Sequence, residues 1–420
     1  MPAIAFSALA IILLVLGAPI FLAILAATFM GFEVFAPRIP SMVLPQRMVD
    51  GVNRFSLIAI PLFIFAADVI ARGQIGARLV KLTETCMGHI TGGVAIATAG
   101  ACAIFGAMSG IGPAAVVSIG PIVYPSLIRQ GYSKSFAVGL ILAASTLAML
   151  VPPGVAMILY AIETNNSVGS MFIAGLSTGA FFTLVLAIYS YIYAKVKGIG
   201  RMPRAPWSER WVALRRSAWA LGLPVIVLGG IYSGAATPTE AAAFACVYAI
   251  FVEVGIYRQL KLRDLPRVSS ASARTIAVLL ILISAGSVMT YFMTLMQYPA
   301  QISRTIGGYP PEAILAMINV AFLFAGMFVD PNSAVIVLAP LIYQSAMAAG
   351  IDPIHLGAVV VVNVAIGMIT PPFGLNLFIG MTTFRLSYFE VLKGVLPFVA
   401  LMIAVLLVVT YVPAISLLLL

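Results

Sequence analysis

Thirteen apolar runs divide this chain, at about 3–31, 55–71, 88–108, 110–128, 136–161, 169–194, 217–233, 238–257, 275–298, 312–329, 332–349, 355–383 and 392–419. A bilayer core takes about 20 apolar residues per helical span, and a chain this apolar cannot hide its side chains in one soluble core. Composition agrees, at 62% hydrophobic and 9% charged, where a soluble domain is about 25% charged. The predicted class is an all-α integral membrane protein. The run starting at Ala3 is too long for a signal-peptide core and is expected to be a retained first span.

The net charge of +10 does not indicate a nucleic-acid partner, because the basic residues lie in loops between the apolar runs. One basic linker holds Lys195, Lys197, Arg201, Arg204, Arg210, Arg215 and Arg216, and another holds Arg258, Lys261, Arg263, Arg267 and Arg274. Two spans separate them, so both face one side, and the charge rule makes that side cytoplasmic. Pairs 88–128 and 312–349 are each broken by a tight centre, Ser109-Gly110 and Asp330-Pro331-Asn332-Ser333. If each pair is a re-entrant hairpin, 19 of the 23 Lys and Arg fall inside and only Arg38, Arg47, Arg54 and Arg304 fall outside. This expectation puts the N-terminus in the cytoplasm and the C-terminus in the periplasm.

An internal repeat follows from an ungapped shift of 219 positions. Pro121 lands on Pro340, Tyr124 on Tyr343, Ser126 on Ser345, Gly131 on Gly350, Pro152-Pro153 on Pro371-Pro372 and Gly175 on Gly394. With the charge count, the halves are expected to have opposite orientation. Inverted repeats with broken helices mark secondary transporters, whose sites lie near the midplane at the breaks.

Three constellations could carry the chemistry. In Gly106-Ala-Met-Ser109-Gly110-Ile-Gly112-Pro113 the glycines allow a sharp reversal. The half-helix after Pro113 would present free N–H groups to a carboxylate, with Ser109 and Ser118 adding hydroxyls. Gly and Ser also serve simple close packing in lipid. In Asp330-Pro331-Asn332-Ser333 an Asp N-cap before Pro is a complete structural reading, but a membrane-embedded carboxylate is costly and a cation such as Na⁺ would offset it. Val151-Pro152-Pro153-Gly154 and Thr370-Pro371-Pro372-Phe-Gly374-Leu-Asn376 must break their helices, freeing carbonyls that can ligate Na⁺ or leaving a plain kink. Thr370 and Asn376 could reach substrate or ion. No phosphate-binding loop indicates ATP, no catalytic pattern indicates an enzyme, and the three dispersed cysteines and His89 and His355 form no metal spacing. The cysteines read as small buried hydrophobes, the histidines as interfacial or capping groups.

At these residues the chain resembles the large membrane subunit, DctM type, of the tripartite ATP-independent periplasmic (TRAP) transporters. The resemblance is densest in Ile60-Pro61-Leu62-Phe63-Ile64-Phe65-Ala66, Gly106 to Gly112, Arg129-Gln-Gly-Tyr132, Val151-Pro152-Pro153, Gly326-Met-Phe-Val-Asp330-Pro331 and Gly367-Met-Ile-Thr-Pro371-Pro372-Phe-Gly374-Leu-Asn376. It implies an inverted-repeat transporter of elevator type, similar to the ion-transporter superfamily, with two re-entrant hairpins and two broken helices. It implies no cofactor beyond sodium as the coupling ion. It also implies a separate four-helix DctQ-type subunit and a periplasmic DctP-type binding protein that delivers an organic anion, expected to be a carboxylate. Sodium would be held by Ser109, Gly110, Pro152 and Gly154 in one half and by Asp330, Asn332, Thr370 and Gly374 in the other. Substrate would lie between the tips, against Ser109, Gly110, Ser118, Pro153, Asn332, Ser333, Pro372 and Asn376. The family's first tip usually reads Ser-Gly-Ser, whereas here Ile111 follows Gly110.

The expected division is 1–87 for N-terminal scaffold helices, 88–194 for the first transport half, 195–298 for scaffold helices and cytoplasmic linkers, 299–391 for the second transport half and 392–420 for a C-terminal helix. The expected location is the bacterial inner membrane. A stand-alone sodium/anion symporter without a binding protein is the alternative.

Overall fold

The computed structural model describes residues 9, 12–14 and 16–420. The expected first span, 3–31, therefore falls partly outside the described residues, as does the N-terminal position on which its orientation rests. Among the described residues the chain is helical with no strand. The helices are α1 (Ile20–Phe35), α2 (Val43–Val52), α3 (Ala59–Ala71), α4 (Ile75–Met87), α5 (Gly93–Ser109), α6 (Gly112–Arg129), α7 (Lys134–Leu150), α8 (Val155–Glu163), α9 (Val168–Val196) and α10 (Trp207–Tyr232). They continue as α11 (Pro238–Ile250), α12 (Leu265–Leu295), α13 (Tyr298–Ile306), α14 (Pro311–Phe328), α15 (Pro331–Ala348), α16 (Pro353–Gly367), α17 (Leu375–Phe384), α18 (Tyr388–Tyr411) and α19 (Ala414–Leu417). Six of the described helices are long and apolar enough to cross a bilayer, up to eight if each sharply bent pair is one span.

The helix ends follow backbone chemistry. Proline opens α11, α15 and α16, where a missing N–H costs little. Ser133 caps α7, accepting from the Phe136 N–H at 3.2 Å, and Asp352 caps α16, accepting from Ile354 and His355 N–H at 2.8 and 2.9 Å. Both proline pairs end a helix: α7 stops before Pro152-Pro153 and α8 resumes at an angle of 41°, while α16 stops before Pro371-Pro372 and α17 resumes at Leu375. The Pro152-Pro153 and Pro371-Pro372 peptides are cis. A bend of 61° between α2 and α3 has no such proline signal. There Asn53 and Arg54 separate α2 from a 3₁₀ turn at Phe55–Ile58, and Arg54 Nη1 donates to the Ile162 carbonyl at the end of α8 at 3.0 Å.

The offset of 219 recurs in the helix bounds. Shifted by it, α6 at 112–129 becomes 331–348, the bounds of α15, and α5 at 93–109 becomes 312–328, against 311–328 for α14. The caps Ser133 and Asp352 and the positive-φ turns Gly131 and Gly350 stand at the same offset.

Packing is closest along the helices that flank the breaks. A Cβ on Gly106 would lie 2.5 Å from the Ala148 Cα, and one on Gly326 would lie 2.9 Å from the Gly367 Cα, so α5 touches α7 and α14 touches α16 backbone to backbone. A Cβ on Gly139 would lie 2.0 Å from the Gly394 carbonyl, which joins α7 to α18 in the same way. Small residues let helices approach in lipid, where apolar contact alone gives no advantage over the acyl chains. The two returning helices pack crosswise, α6 against α17 and α15 against α8. Tyr124 of α6 meets Phe384 of α17 at 5.1 Å between centroids, and Asn166 Nδ2, just past α8, donates to the Tyr343 hydroxyl of α15 at 3.2 Å.

The Gly139 contact predicts a cost. Gly139→Val should destabilise the protein by about 1–3 kcal/mol, the usual range for overpacking. The check is thermal unfolding in detergent micelles, and an unchanged midpoint would mean that α7 and α18 are not in backbone contact.

Candidate functional site

The first turn, 109–112, is where the site forms. Gly110 ends α5 with φ +63°, the left-handed conformation glycine adopts freely, and its N–H donates to the Gly106 carbonyl at 2.9 Å. A Cβ there would lie 2.1 Å from the Pro153 carbonyl oxygen, so the turn rests on the first broken segment with no room for a side chain. Pro152, Pro153 and Gly154 are buried. A Cβ on Gly112 would lie 3.4 Å from Asn376 Nδ2, so the same turn also reaches the second broken segment. Of the expected sodium set Ser109, Gly110, Pro152 and Gly154, the turn and Gly154 are thus together, while Pro153 and Asn376, expected against the substrate, meet the same turn.

Three half-helices begin around this turn without a side-chain cap: α6 after Ile111, α8 after Gly154 and α17 after Gly374. Their leading N–H groups carry partial positive charge, which suits an anion. Ser109 and Asn376 are fully buried, and neither Ser109 Oγ nor Asn376 Oδ1 has a partner among protein groups.

The second tip differs. Asp330 caps α15 and accepts from the Asn332 and Ser333 N–H groups at 3.1 Å each, and from the Ser333 hydroxyl. Its own carboxylate fills the position an anion would take at that helix start. The tip meets its break through aromatic contact, with Phe328 and Phe373 at 5.8 Å between centroids. Unlike Pro152 and Pro153, Pro372 and Phe373 are exposed and Pro371 is half-buried. Asn332 Oδ1 is buried and unpartnered, whereas the Thr370 hydroxyl turns back to the end of α16, donating to the Ile366 carbonyl at 2.7 Å. A Cβ on Gly374 would lie 2.6 Å from the Met368 carbonyl, which closes the second break on itself.

Ser118 stands apart from the tip. It lies along α6 and donates to the Ala71 carbonyl at the end of α3, at 3.2 Å. Of the cysteines, Cys102 and Cys246 are buried as expected, but Cys86 is exposed. His355 is buried and follows the capping alternative, bonded to Ser416 Oγ at 2.7 Å and to the Thr410 carbonyl in the last turn of α18 at 3.1 Å. Two polar residues that the sequence does not single out matter here. Ser145 accepts from Asn376 Nδ2 at 2.9 Å. Glu253 is fully buried and accepts from the Gln74 and Ile75 N–H groups at 3.0 and 2.9 Å, capping α4 from another helix. Their signal is weak, a lone Ser or Glu inside an apolar run.

The unpartnered buried oxygens are hydroxyl and carboxamide, hard neutral donors of the kind Na⁺ takes. No group of three or more His, Cys, Asp or Glu able to hold a metal occurs among the described residues.

Residues 7–415 match the family model of the tripartite ATP-independent periplasmic transporter, DctM component. The chain is 38% identical over 410 residues to the ectoine/5-hydroxyectoine TRAP transporter large permease protein of Ruegeria pomeroyi, covering 97% of this chain and 96% of that one. It is 39% identical over 373 residues to the C4-dicarboxylate TRAP transporter large permease protein of Pseudomonas aeruginosa, covering 88% and 87%. In fold it is similar to the YdaH transporter of Alcanivorax borkumensis, with a TM-score of 0.66, 13% identity and coverage of 87% and 86%.

The cap at Asp330 yields a stability prediction. Asp330→Asn keeps a capping oxygen and should leave the unfolding midpoint close to wild type, whereas Asp330→Ala should cost about 1 kcal/mol. Equal losses in the two variants would show that the charge, not the cap, holds the tip.

Proposed function

The chain belongs to the DctM family of TRAP transporter large permeases, and from that premise we propose that it takes up an organic anion, a carboxylate, by sodium-coupled secondary active transport. The observation that carries the anion is the convergence of three uncapped helix starts, α6, α8 and α17, on the buried 109–112 turn. The opening is widest at α6 and α8, since the Asn376 and Leu377 N–H groups of α17 already donate to the Met368 and Gly374 carbonyls at 2.9 and 2.8 Å. At the second tip the Asp330 carboxylate already occupies the corresponding place. The substrate carboxylate therefore belongs at the first tip, on the leading N–H groups of α6 and the Ser109 hydroxyl, with Pro153 and Asn376 beside it.

Sodium would be held by oxygens at both tips: Ser109 Oγ and the carbonyls of the 152–154 break on one side, Asp330 and Asn332 on the other. A cation near Asp330 offsets the cost of keeping a carboxylate at membrane depth. A carboxylate and its sodium ions together cross the bilayer at lower net charge than either alone.

Movement would be of elevator type, in two inverted halves. Matching helix bounds at the 219 offset support the repeat. The crosswise packing of α6 on α17 and of α15 on α8 supports treating the two hairpins and both broken helices as one body that would slide as a unit. The close contact of Gly139 with Gly394 supports including α18 in that body. The scaffold would be the helices of 1–87 and 195–298. Three further assignments complete the proposal: a multi-pass bacterial inner-membrane location, a cytoplasmic N-terminus and periplasmic C-terminus, and DctQ-type and DctP-type partners. Relatives named as TRAP transporter large permeases favour a fed transporter over a stand-alone symporter.

The test is uptake into proteoliposomes holding both membrane subunits, with the loaded binding protein outside. Uptake should fall to background when the inward Na⁺ gradient is collapsed, and Asp330→Asn should raise the Na⁺ needed for half-maximal rate by about tenfold, roughly 1.4 kcal/mol. Uptake indifferent to Na⁺ would remove the coupling.

A further inference from the structure

The segment from Arg54 to Ala71 is fastened at both ends. At its start, Arg54 Nη1 donates to the Ile162 carbonyl in the last turn of α8 at 3.0 Å. At its end, the Ala71 carbonyl in the last turn of α3 accepts from Ser118 Oγ of α6 at 3.2 Å. Both acceptors are among the last four carbonyls of a helix, which lack the usual partner within it. The Arg72 and Gly73 N–H groups both go to the Ile70 carbonyl, so neither answers Ala71. At Ile162 the guanidinium adds positive charge at the negative end of α8.

The two bonds join different bodies. α3 packs on α11 and α12, in the expected scaffold, and also meets α5, α6 and α8, which carry the first hairpin and the first break. One donor belongs to each side, Arg54 to the scaffold and Ser118 to the hairpin. α3 has 13 residues, about 20 Å of helix, so the bonds lie far apart. A slide along α3 lengthens both beyond bonding reach. The Tyr232 hydroxyl also crosses, to the Phe172 carbonyl at 3.1 Å, but Phe172 lies inside α9, where the helix supplies that carbonyl with an N–H. The Ser118 hydroxyl is not a requirement of the hairpin. At the 219 offset Ser118 corresponds to Val337 and Ala71 to Thr290. Thr290 lies inside α12, which runs on to Leu295, and the Thr294 hydroxyl donates to its carbonyl at 2.7 Å. Where the helix does not end, the residue in the place of Ser118 is apolar.

Resting on the elevator reading above, we propose that Arg54 and Ser118 form a two-point latch that clamps α3 to the first hairpin and its broken helix and holds the sliding body in the position of this structure. Departure from that position uncaps two helix ends at once. The latch therefore sets how much of the protein occupies it.

The reporter is a cysteine pair away from the latch, Gly169→Cys with Ile231→Cys, in a chain carrying Cys86→Ser, Cys102→Ala and Cys246→Ser. A Cβ on Gly169 would lie 4.0 Å from Ile231 Cγ2, so the pair joins α9 to α10 without a clash. Mercuric ion bridges the two thiols. Complete bridging should stop uptake by the assembled transporter in proteoliposomes, and dithiothreitol should restore it. At mercuric concentrations where bridging is slower than the slide, its rate follows the occupancy of this position. Arg54→Ala and Ser118→Ala should each lower that rate by about twofold or more, and the double variant by about tenfold. Arg54→Lys and Ser118→Thr keep a donor and should stay within about 1.5-fold of the parent. Thermal unfolding monitors folding, and Arg54→Met and Ser118→Val, which keep bulk, give the same comparison if an alanine variant does not fold. Uptake that persists through complete bridging would overturn the sliding-body reading itself. Blocked uptake with bridging rates unchanged in both single variants and the double variant would overturn the latch alone. A fall reproduced by Arg54→Lys and Ser118→Thr would mean that side-chain shape, not the donated bonds, fixes the position, and would overturn it too.

Discussion

Backbone that leaves the helix inside a bilayer must be buried, because lipid offers its N–H and C=O groups no partner. The contact of Gly110 with the Pro153 carbonyl meets that demand. A turn at the end of one helix covers the broken segment of another, and each hides the other's unpaired groups. The rest of the site follows from this pairing. Once the turn rests on Pro153 and Gly154, the starts of α6 and α8 are neighbours, and the reach of Gly112 to Asn376 brings in α17. Three helix starts meet because two irregular backbones need each other's cover.

The two halves share a frame but not a chemistry. Bounds, caps and turn glycines repeat at the offset of 219, and the returning helices exchange equivalent partners. Within that frame the first tip keeps its helix start open and lines it with Ser109, Ser145 and Asn376. The second closes its helix start with Asp330. One tip is thereby suited to an incoming anion and the other brings a fixed negative charge of its own.

Much of the frame was legible in the sequence because it depends on residues whose effect is on the backbone. Pro152-Pro153 and Pro371-Pro372 stop helices whatever surrounds them, and Gly110 and Asp330-Pro331 mark helix ends by local rules. The side-chain roles were less legible, since a hydroxyl has many possible partners. Ser118 looked like part of the tip but bonds to Ala71, and Thr370 turns back to the end of α16. Ser145 lies in an unbroken apolar run, and only the approach of α17 from the other half gives it a partner. The bend at Asn53 and Arg54 has no proline signal in the sequence, and the bond from Arg54 to Ile162 beside it is long-range.

The most direct measurement is a density map of the transporter frozen with its substrate bound in the presence of Na⁺. The substrate carboxylate should lie within hydrogen-bond reach of the Gly112 and Ala114 N–H groups and of Ser109 Oγ, at the first tip. A carboxylate found instead against Asn332 and Ser333, with Asp330 displaced from the start of α15, would contradict the assignment of the anion to the first tip.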